Sequence, residues 1–301
     1  MVEIGFKSVK NKKNCIICKK NTTNTISNKV REGHQKVFFC KNCNLAFLGD
    51  KNLKCESYLY SKKINYEIFS KERLESLKRN KSILKIKSIF KFKGKDILEV
   101  GPGLAPISSY FFNETKSNSI LELDKTYQNF LKKKYKKKIN LENEKNLNSF
   151  KKKFDLIILV HVFEHFDNPV YYLKFFENLL KRGGSIILII PNLDDVYLRN
   201  LKGVKKKKYL EFTLHQGHKF YYTLKSIKKI INKYTKLKIK LNSTFQEYSI
   251  KNFFKWQFFS YPDMNLSSVI HDLQNDDLDN LFKSYCEKNN IGNSIILKAS
   301  K

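Results

Sequence analysis

Arginine is scarce in this chain: only five of its 59 basic side chains are Arg, and the rest are Lys. The planar guanidinium is the group best suited to bidentate phosphate contacts. Its scarcity argues against reading the net charge of +31 as a nucleic-acid face. The lysines are spread from end to end, and only 132–138 and 205–208 concentrate them locally. Lys, Asn, Ile, Phe and Tyr are all abundant and share A/T-rich codons, so base composition accounts for the charge more simply than a binding surface. Long apolar runs are missing too. The longest, 156–163, is interrupted by His161 and falls far short of the roughly 18 residues a membrane-spanning helix needs. The N-terminal Met-Val-Glu-Ile-Gly-Phe-Lys has no apolar segment of the kind a secretory signal requires, and a cytoplasmic location is expected.

Glycine and proline are also few, at 11 and five in 301 residues, so a cluster of them marks a deliberate turn. The densest is in Asp96-Ile-Leu-Glu-Val-Gly-Pro-Gly-Leu-Ala-Pro106. A short buried-strand pattern ends in Glu99-Val100, and Gly101 and Gly103 follow at once. Such a turn lets backbone N–H groups and a helix start approach a ligand closely. Pro106 suits the first turn of the next helix. It also occupies the position where a dinucleotide fingerprint wants Gly or Ala, which disfavours a nicotinamide site.

Six cysteines are present, and four have metal-ligand spacing: Cys15-x2-Cys18, a 21-residue gap, then Cys40-x2-Cys43. Two such knuckles suit a tetrahedral Zn²⁺ site. Four thiolates leave no open position, so the expected zinc is structural and contributes folding energy to a segment too small for its own core. Cys55 and Cys286 read as ordinary thiols.

Residues 1–56 are therefore expected to form a zinc-binding module. Residues 57–94 read as a helical linker with Leu74, Leu77, Ile83, Leu84, Ile86 and Ile89 on one stripe. From 95 to 242 short apolar strands alternate with helices. Strands are expected at 96–100, 119–123, 154–160 and 184–190, and helices at 105–112, 125–136 and 169–181. That pattern specifies a doubly wound, mostly parallel α/β sheet with ligands at the strands' carboxyl ends. Residues 237–241 and 294–298 are expected to close the sheet as an antiparallel pair. The span 243–301 then reads as a C-terminal cap plus the closing strand.

Asp124 lies 23 residues after Gly101, near the end of the second strand. An acid about 20 residues past a glycine turn binds ribose hydroxyls in such folds. Asp124 is preferred to Glu122 because a helix starts beside it, and it suits a helix cap as well.

Four further segments follow in order: Phe154-Asp-Leu-Ile, His161-Val-Phe-Glu164-His165, Leu179-Leu-Lys-Arg-Gly-Gly184 and Pro191-Asn192. With Glu99-x-Gly101-x-Gly103, they resemble class I S-adenosylmethionine (SAM) methyltransferases over residues 94–241. The preceding four-cysteine module is similar to that of sugar C-methyltransferases and related enzymes of glycan biosynthesis. In those enzymes a Tyr-x-Glu-His segment carries the base. Here the comparable segment is Thr213-Leu-His215-Gln-Gly217-His218, in which His215 and Gly217 replace the Tyr and the Glu.

The resemblance implies a Rossmann-like methyltransferase that uses SAM. Glu99 would anchor the methionine ammonium, Gly101 and Gly103 would admit the cofactor, and Asp124 would hold the ribose. Glu144 or Asn146 would meet adenine, and His161 would line the pocket near the sulfonium. Glu164 and His165 would shape the turn after the fourth strand. His218, with His215 second, would be the base. The acceptor is expected to be a small molecule of sugar, nucleotide-sugar or glycan type, and a positive field suits an anionic one. Two other readings stay open: an RNA or protein methyltransferase, and a non-catalytic zinc-ribbon protein carrying a degenerate methyltransferase domain.

Overall fold

The computed structural model of the chain describes residues 14–49, 65–79, 82–142, 152–260 and 276–301. Cys55, Glu144 and Asn146 lie outside them, as does the expected boundary at residue 56.

The N-terminal segment forms three antiparallel strands, β1 (Thr25–Val30), β2 (Gly33–Cys40) and β3 (Leu45–Leu48). A fourth strand from far along the chain, β9 (Phe220–Tyr221), completes this sheet by pairing with β3. The linker provides α1 (Tyr66–Arg79) and α2 (Ser82–Ile89). Ile83 and Ile86 are buried as the stripe requires, but Leu84 is more than half exposed. It points away because α2 buries only a narrow face.

The second sheet contains β4 (Asp96–Val100), β5 (Ser117–Leu121), β6 (Asn140–Glu142), β7 (Phe154–Val160), β8 (Leu180–Pro191), β10 (Lys238–Phe245) and β11 (Ser294–Ser300). Its order is β10-β11-β8-β7-β4-β5-β6. The five strands from β8 to β6 are parallel, and β11 runs antiparallel to both β8 and β10. This is a Rossmann-like α/β sheet whose strand order reverses beside β4. In such sheets ligands sit at that switch point, outside the carboxyl ends of the strands.

Successive residues of the central strands feed two cores, because side chains alternate across a strand. Leu98, Ile157, Leu159 and Leu188 face α4 (Pro169–Leu179) and α7 (Leu224–Tyr234). Ile97, Leu156, Ile158 and Ile187 face α2 and the turn at Ile107–Phe111. The N-terminal sheet packs into the first core: Cys15, Ile16, Phe38 and Phe47 are buried in one continuous cluster with Ile227, Ile230 and Ile231.

Several expected bounds shift. The helix expected at 105–112 is a short 3-10 turn over Ile107–Phe111, since Pro106 holds an extended conformation just before it. The second strand ends at Leu121 rather than 123, and helix α3 runs over Lys125–Tyr135. The helix expected at 169–181 stops at Leu179, and β8 begins at once at Leu180. After β8 come α5 (Val196–Asn200) and α6 (Gly203–Thr213), and the expected cap holds α8 (Ile250–Phe259) and α9 (Asp276–Lys288), the last with Cys286 fully buried.

Candidate functional site

Between β4 and the 3-10 turn the backbone must reverse sharply. Gly101 and Gly103 both take left-handed conformations, with φ of +61° and +59°. Gly101 N–H donates to Leu121 O at 2.8 Å, tying the turn to the end of the neighbouring strand. A Cβ on Gly101 would come within 2.9 Å of Val162 Cγ2, whereas the same position on Gly103 meets no heavy atom within 4 Å. One glycine is needed for packing, and the other leaves open the ground beside the turn.

Two carboxylates organise this turn, and the sequence ranked one of them second. Glu99 is 2% exposed, and its two oxygens accept from Ile107 N and Ser108 N, each at 2.8 Å. Burial pushes its carboxyl up, against those hydrogen bonds. These two hydrogen bonds fix the 3-10 turn. Asp124 takes the helix-cap role that its position suits. It is the N-cap of α3, accepting from Thr126 N at 2.7 Å and Tyr127 N at 3.1 Å. Glu122, two residues earlier, reaches the glycine turn itself: Oε2 accepts from Gly103 N at 2.9 Å, while Oε1 accepts from Leu123 N and Asp124 N. Because α3 starts after Asp124, the acid at the strand's end is the one that precedes the cap by two. That two-residue offset is the signal the sequence held.

A second group of ionisable side chains adjoins this turn. It begins at His161, next to the Val162 that packs on Gly101. His161 has φ of +54°, an uncommon left-handed conformation for a non-glycine residue of the kind concentrated at functional sites. Its Nδ1 lies 3.8 Å from Glu164 Oε1, and its Nε2 lies 3.9 Å from Glu247 Oε1. His218 Nε2 lies 3.9 Å from the same Glu164 oxygen. His165 and His218 meet edge to face at 4.8 Å, and His215 lies against His218 at 3.9 Å. The structure therefore brings His161, Glu164, His165, His215 and His218 together, and adds Glu247 and Glu32. Glu247 comes from the loop after β10 and is held by Ser294, Asn293 and Ser82. No local pattern in the sequence announced it.

The electrostatics follow from burial and pairing. Burial raises the Glu164 carboxyl, but His161 and the neighbouring imidazoles outweigh it and hold the group down at about 2. Burial would lower His161, yet the carboxylates of Glu164 and Glu247 lift it to about 9. His218 is pushed down to about 3, chiefly by burial and against the pull of Glu164. Burial likewise lowers His215. His215 Nδ1 accepts from Gly217 N at 3.0 Å, so this nitrogen carries no proton and supports its own loop.

A sequence profile described as a methyltransferase domain matches residues 71–234, more than half of the 301. The chain belongs to the methyltransferase domain family. No curated protein matches its sequence. A SAM-dependent methyltransferase structure from Archaeoglobus fulgidus is 16% identical, covers 79% of this chain and all of its own, and superposes with a TM-score of 0.48. One from Mesorhizobium loti is 12% identical and covers 74% of this chain and 98% of its own, with a TM-score of 0.47. The plantazolicin methyltransferase BamL, solved with a desmethylPZN analogue and S-adenosylhomocysteine (SAH), is 16% identical. It covers 78% of this chain and 89% of its own, at a TM-score of 0.48.

The methyltransferase also carries the four-cysteine cluster. Cys15, Cys18, Cys40 and Cys43 bring their sulfurs within 4.8 Å of one another, with Cys18 and Cys40 at 3.6 Å. The two knuckles are built alike: each second cysteine is followed by a residue in the left-handed region, Lys19 at φ 63° and Asn44 at φ 52°. The donor set, four converging sulfurs with no disulfide, fits a tetrahedral soft-metal site.

This ribbon also holds the imidazole loop. Leu48 N donates to Lys219 O and Arg31 N to Leu214 O. Gln216 N donates to Glu32 Oε2 at 2.9 Å, and Thr223 Oγ1 donates to Asn44 O at 2.9 Å. Residues 214–223 are thus strung between the ribbon and the methyltransferase sheet.

Proposed function

We propose that this methyltransferase carries a methyl group from SAM to a small molecule of the sugar, nucleotide-sugar or glycan class. When bound, SAM supplies an electrophilic methyl on a sulfonium, which passes in line to an acceptor lone pair and leaves a neutral thioether. Positioning supplies most of the rate in such a displacement. The chain's residues accordingly divide into those that hold the donor and those that meet the acceptor.

The observation that carries the donor reading is the carboxylate of Glu122, at the carboxyl end of β5 and hydrogen-bonded to Gly103 N at 2.9 Å. A carboxylate has about four lone-pair sites and three of those on Glu122 are taken, so Glu122 can hold the turn and still accept from one hydroxyl of a ribose. Gly103 leaves room beside it. Glu99 and Asp124 fix the turn and the helix that place Glu122. His161, beside Val162, stands where the donor and acceptor sides meet.

On the acceptor side, the imidazoles and carboxylates of residues 161–165, 215–218 and 247 offer hydrogen-bonding groups rather than an apolar wall, which suits a hydroxyl-rich acceptor. His218 brings its imidazole lone pair to this cluster, and the acceptor's proton leaves there. His215, with Nδ1 committed to Gly217 N, supports the loop. A Zn²⁺ held by Cys15, Cys18, Cys40 and Cys43 would supply no chemistry of its own, since a four-thiolate set has no open position. It keeps folded the ribbon that positions His215 and His218.

Incubating the protein with methyl-labelled SAM and a panel of nucleotide sugars and glycosides tests this reading. Label is expected in at least one hydroxyl-bearing acceptor. Transfer confined to RNA or protein, or no transfer together with no binding of SAH, would overturn it.

A further inference from the structure

Three side chains of the acceptor cluster converge on one point. Glu164 is 1% exposed, and neither of its carboxylate oxygens accepts a hydrogen bond. His161 Nδ1, 3.8 Å from Oε1, offsets the charge from one side but lies beyond hydrogen-bonding reach, so both oxygens keep lone pairs with which to hold a ligand. His165 and His218 stand beside it, and one donor atom from each of the three lies within 4.8 Å of the other two. We propose that Glu164, His165 and His218 bind a divalent first-row transition ion, a metal site separate from the four cysteines.

The second shell supports this assignment. Metal-binding histidines usually give their other ring nitrogen to a carbonyl or carboxylate, which fixes the tautomer and the ring plane. His165 Nδ1 lies 2.8 Å from Gly217 O, so it carries the proton and Nε2 keeps a lone pair. Gly217 is itself fixed, its N–H donating to His215 Nδ1 at 3.0 Å. Glu164 is anchored on the other side, its carbonyl accepting from Lys219 N at 2.8 Å. Ligand atoms about 2.1 Å from a tetrahedral ion stand roughly 3.4 Å apart. The 3.9 Å between His218 Nε2 and Glu164 Oε1 therefore closes with a shift of a few tenths of an ångström. Two imidazoles and one carboxylate suit Mn²⁺, Fe²⁺, Co²⁺ or Zn²⁺. Three protein ligands leave a position open, as catalytic sites do. His165 is exposed, so that position has a route to solvent. An acceptor hydroxyl bound there would lose its proton at lower pH than in water. The inference rests on the acceptor half of the proposed function and revises one role in it: with Nε2 on the ion, His218 activates the acceptor as a ligand, and the hydroxyl proton passes to solvent on the exposed His165 side; the donor half is independent of it.

Co²⁺ distinguishes the two metal sites, because thiolate ligation gives an intense charge-transfer band that nitrogen and oxygen ligands do not. The full chain, first brought to one tightly held zinc per molecule, is titrated with Co²⁺ by calorimetry and by absorption. One further equivalent is expected, with ligand-field bands and no thiolate band. Glu164→Gln and His218→Gln should each weaken it at least tenfold while the tightly held zinc and SAH binding persist. His165→Ala, at an exposed position, gives the same reading if the buried variants fail to fold. The absence of a second equivalent, or Co²⁺ affinity unchanged in any folded variant, would overturn the metal site. Loss of SAH binding by the unaltered protein would instead count against the donor reading.

Discussion

At the glycine turn, the carboxylates of Glu99 and Glu122 accept hydrogen bonds only from backbone N–H groups within residues 103–124. At the imidazole cluster, the partners come from positions as far apart as Glu32 and Glu247. The donor side is more local: a strand, a turn and a 3-10 turn set beside β5, with β7 and Val162 on the other side. The acceptor side is a meeting of distant segments, held in place by a ribbon at one end of the chain and by the loop after β10 near the other. Geometry built from neighbours survives damage elsewhere. Geometry built from distant segments fails when any one of them does.

Removing the metal from the four cysteines, or replacing Cys40 by Ser, should produce the largest difference between the two sides. Structural zinc contributes on the order of 10 kcal/mol to folding a small module. Without it the ribbon loses its hold on residues 214–223. Turnover should fall by roughly a hundredfold or more while SAH affinity stays within about threefold. Parallel turnover and calorimetric titrations read both quantities. Equal loss of the two would mean that the ribbon supports the sheet as a whole, and the contrast would disappear.

Next comes a pH dependence in the segment leading into the imidazole loop. Asp195 is 3% exposed. It caps α5 through Leu198 N at 2.8 Å and accepts from Tyr209 of α6 at 2.5 Å. Burial raises its carboxyl to about 7, against those hydrogen bonds, from about 3.9 in an unfolded chain. The folded state holds this proton more tightly. Stability from the group is therefore full below about pH 4, falls as pH rises to about 7, and is level above that. The slope approaches about 1.4 kcal/mol per pH unit inside that window. Asp195→Asn keeps the cap and should remove this slope in urea titrations at pH 5 and pH 7. An unchanged slope would place its origin elsewhere.

The smallest effect separates the two glycines. Gly101→Ala carries the left-handed backbone cost of about 1–2 kcal/mol and a Cβ 2.9 Å from Val162 Cγ2. Gly103→Ala carries the backbone cost alone, since nothing lies within 4 Å of its Cβ. Thermal unfolding should rank Gly101→Ala below Gly103→Ala. Equal losses would mean that the turn does not bear on Val162.

The same contrast governs what could be read from the sequence. The parallel sheet, the glycine turn and the cysteine knuckles were legible because each is specified by near neighbours and fixed spacing. Glu122 and Asp124 were both visible, and the helix start at Lys125 agrees with expectation; the choice turned on where β5 ends, which is Leu121 rather than 123, and element ends shift by a residue or two. The 3-10 turn over Ile107–Phe111 stands where a longer helix is expected, because Pro106 stays extended just before it. Glu247 and Glu32 gave no signal, because their roles depend on where the loops after β10 and β1 land. The pairing of β9 with β3 was equally hidden, since a two-residue strand has no period of its own.

The central claim is that the acid at the end of β5 grips the donor while the acid two residues later caps a helix. Calorimetric titration of SAH into Glu122→Gln and Asp124→Asn tests it directly. The account predicts that Glu122→Gln weakens binding by about ten- to a hundredfold, the worth of charge-assisted hydrogen bonds at about 1.5–3 kcal/mol, with Asp124→Asn close to the unaltered protein. Full affinity in Glu122→Gln together with loss in Asp124→Asn would contradict it.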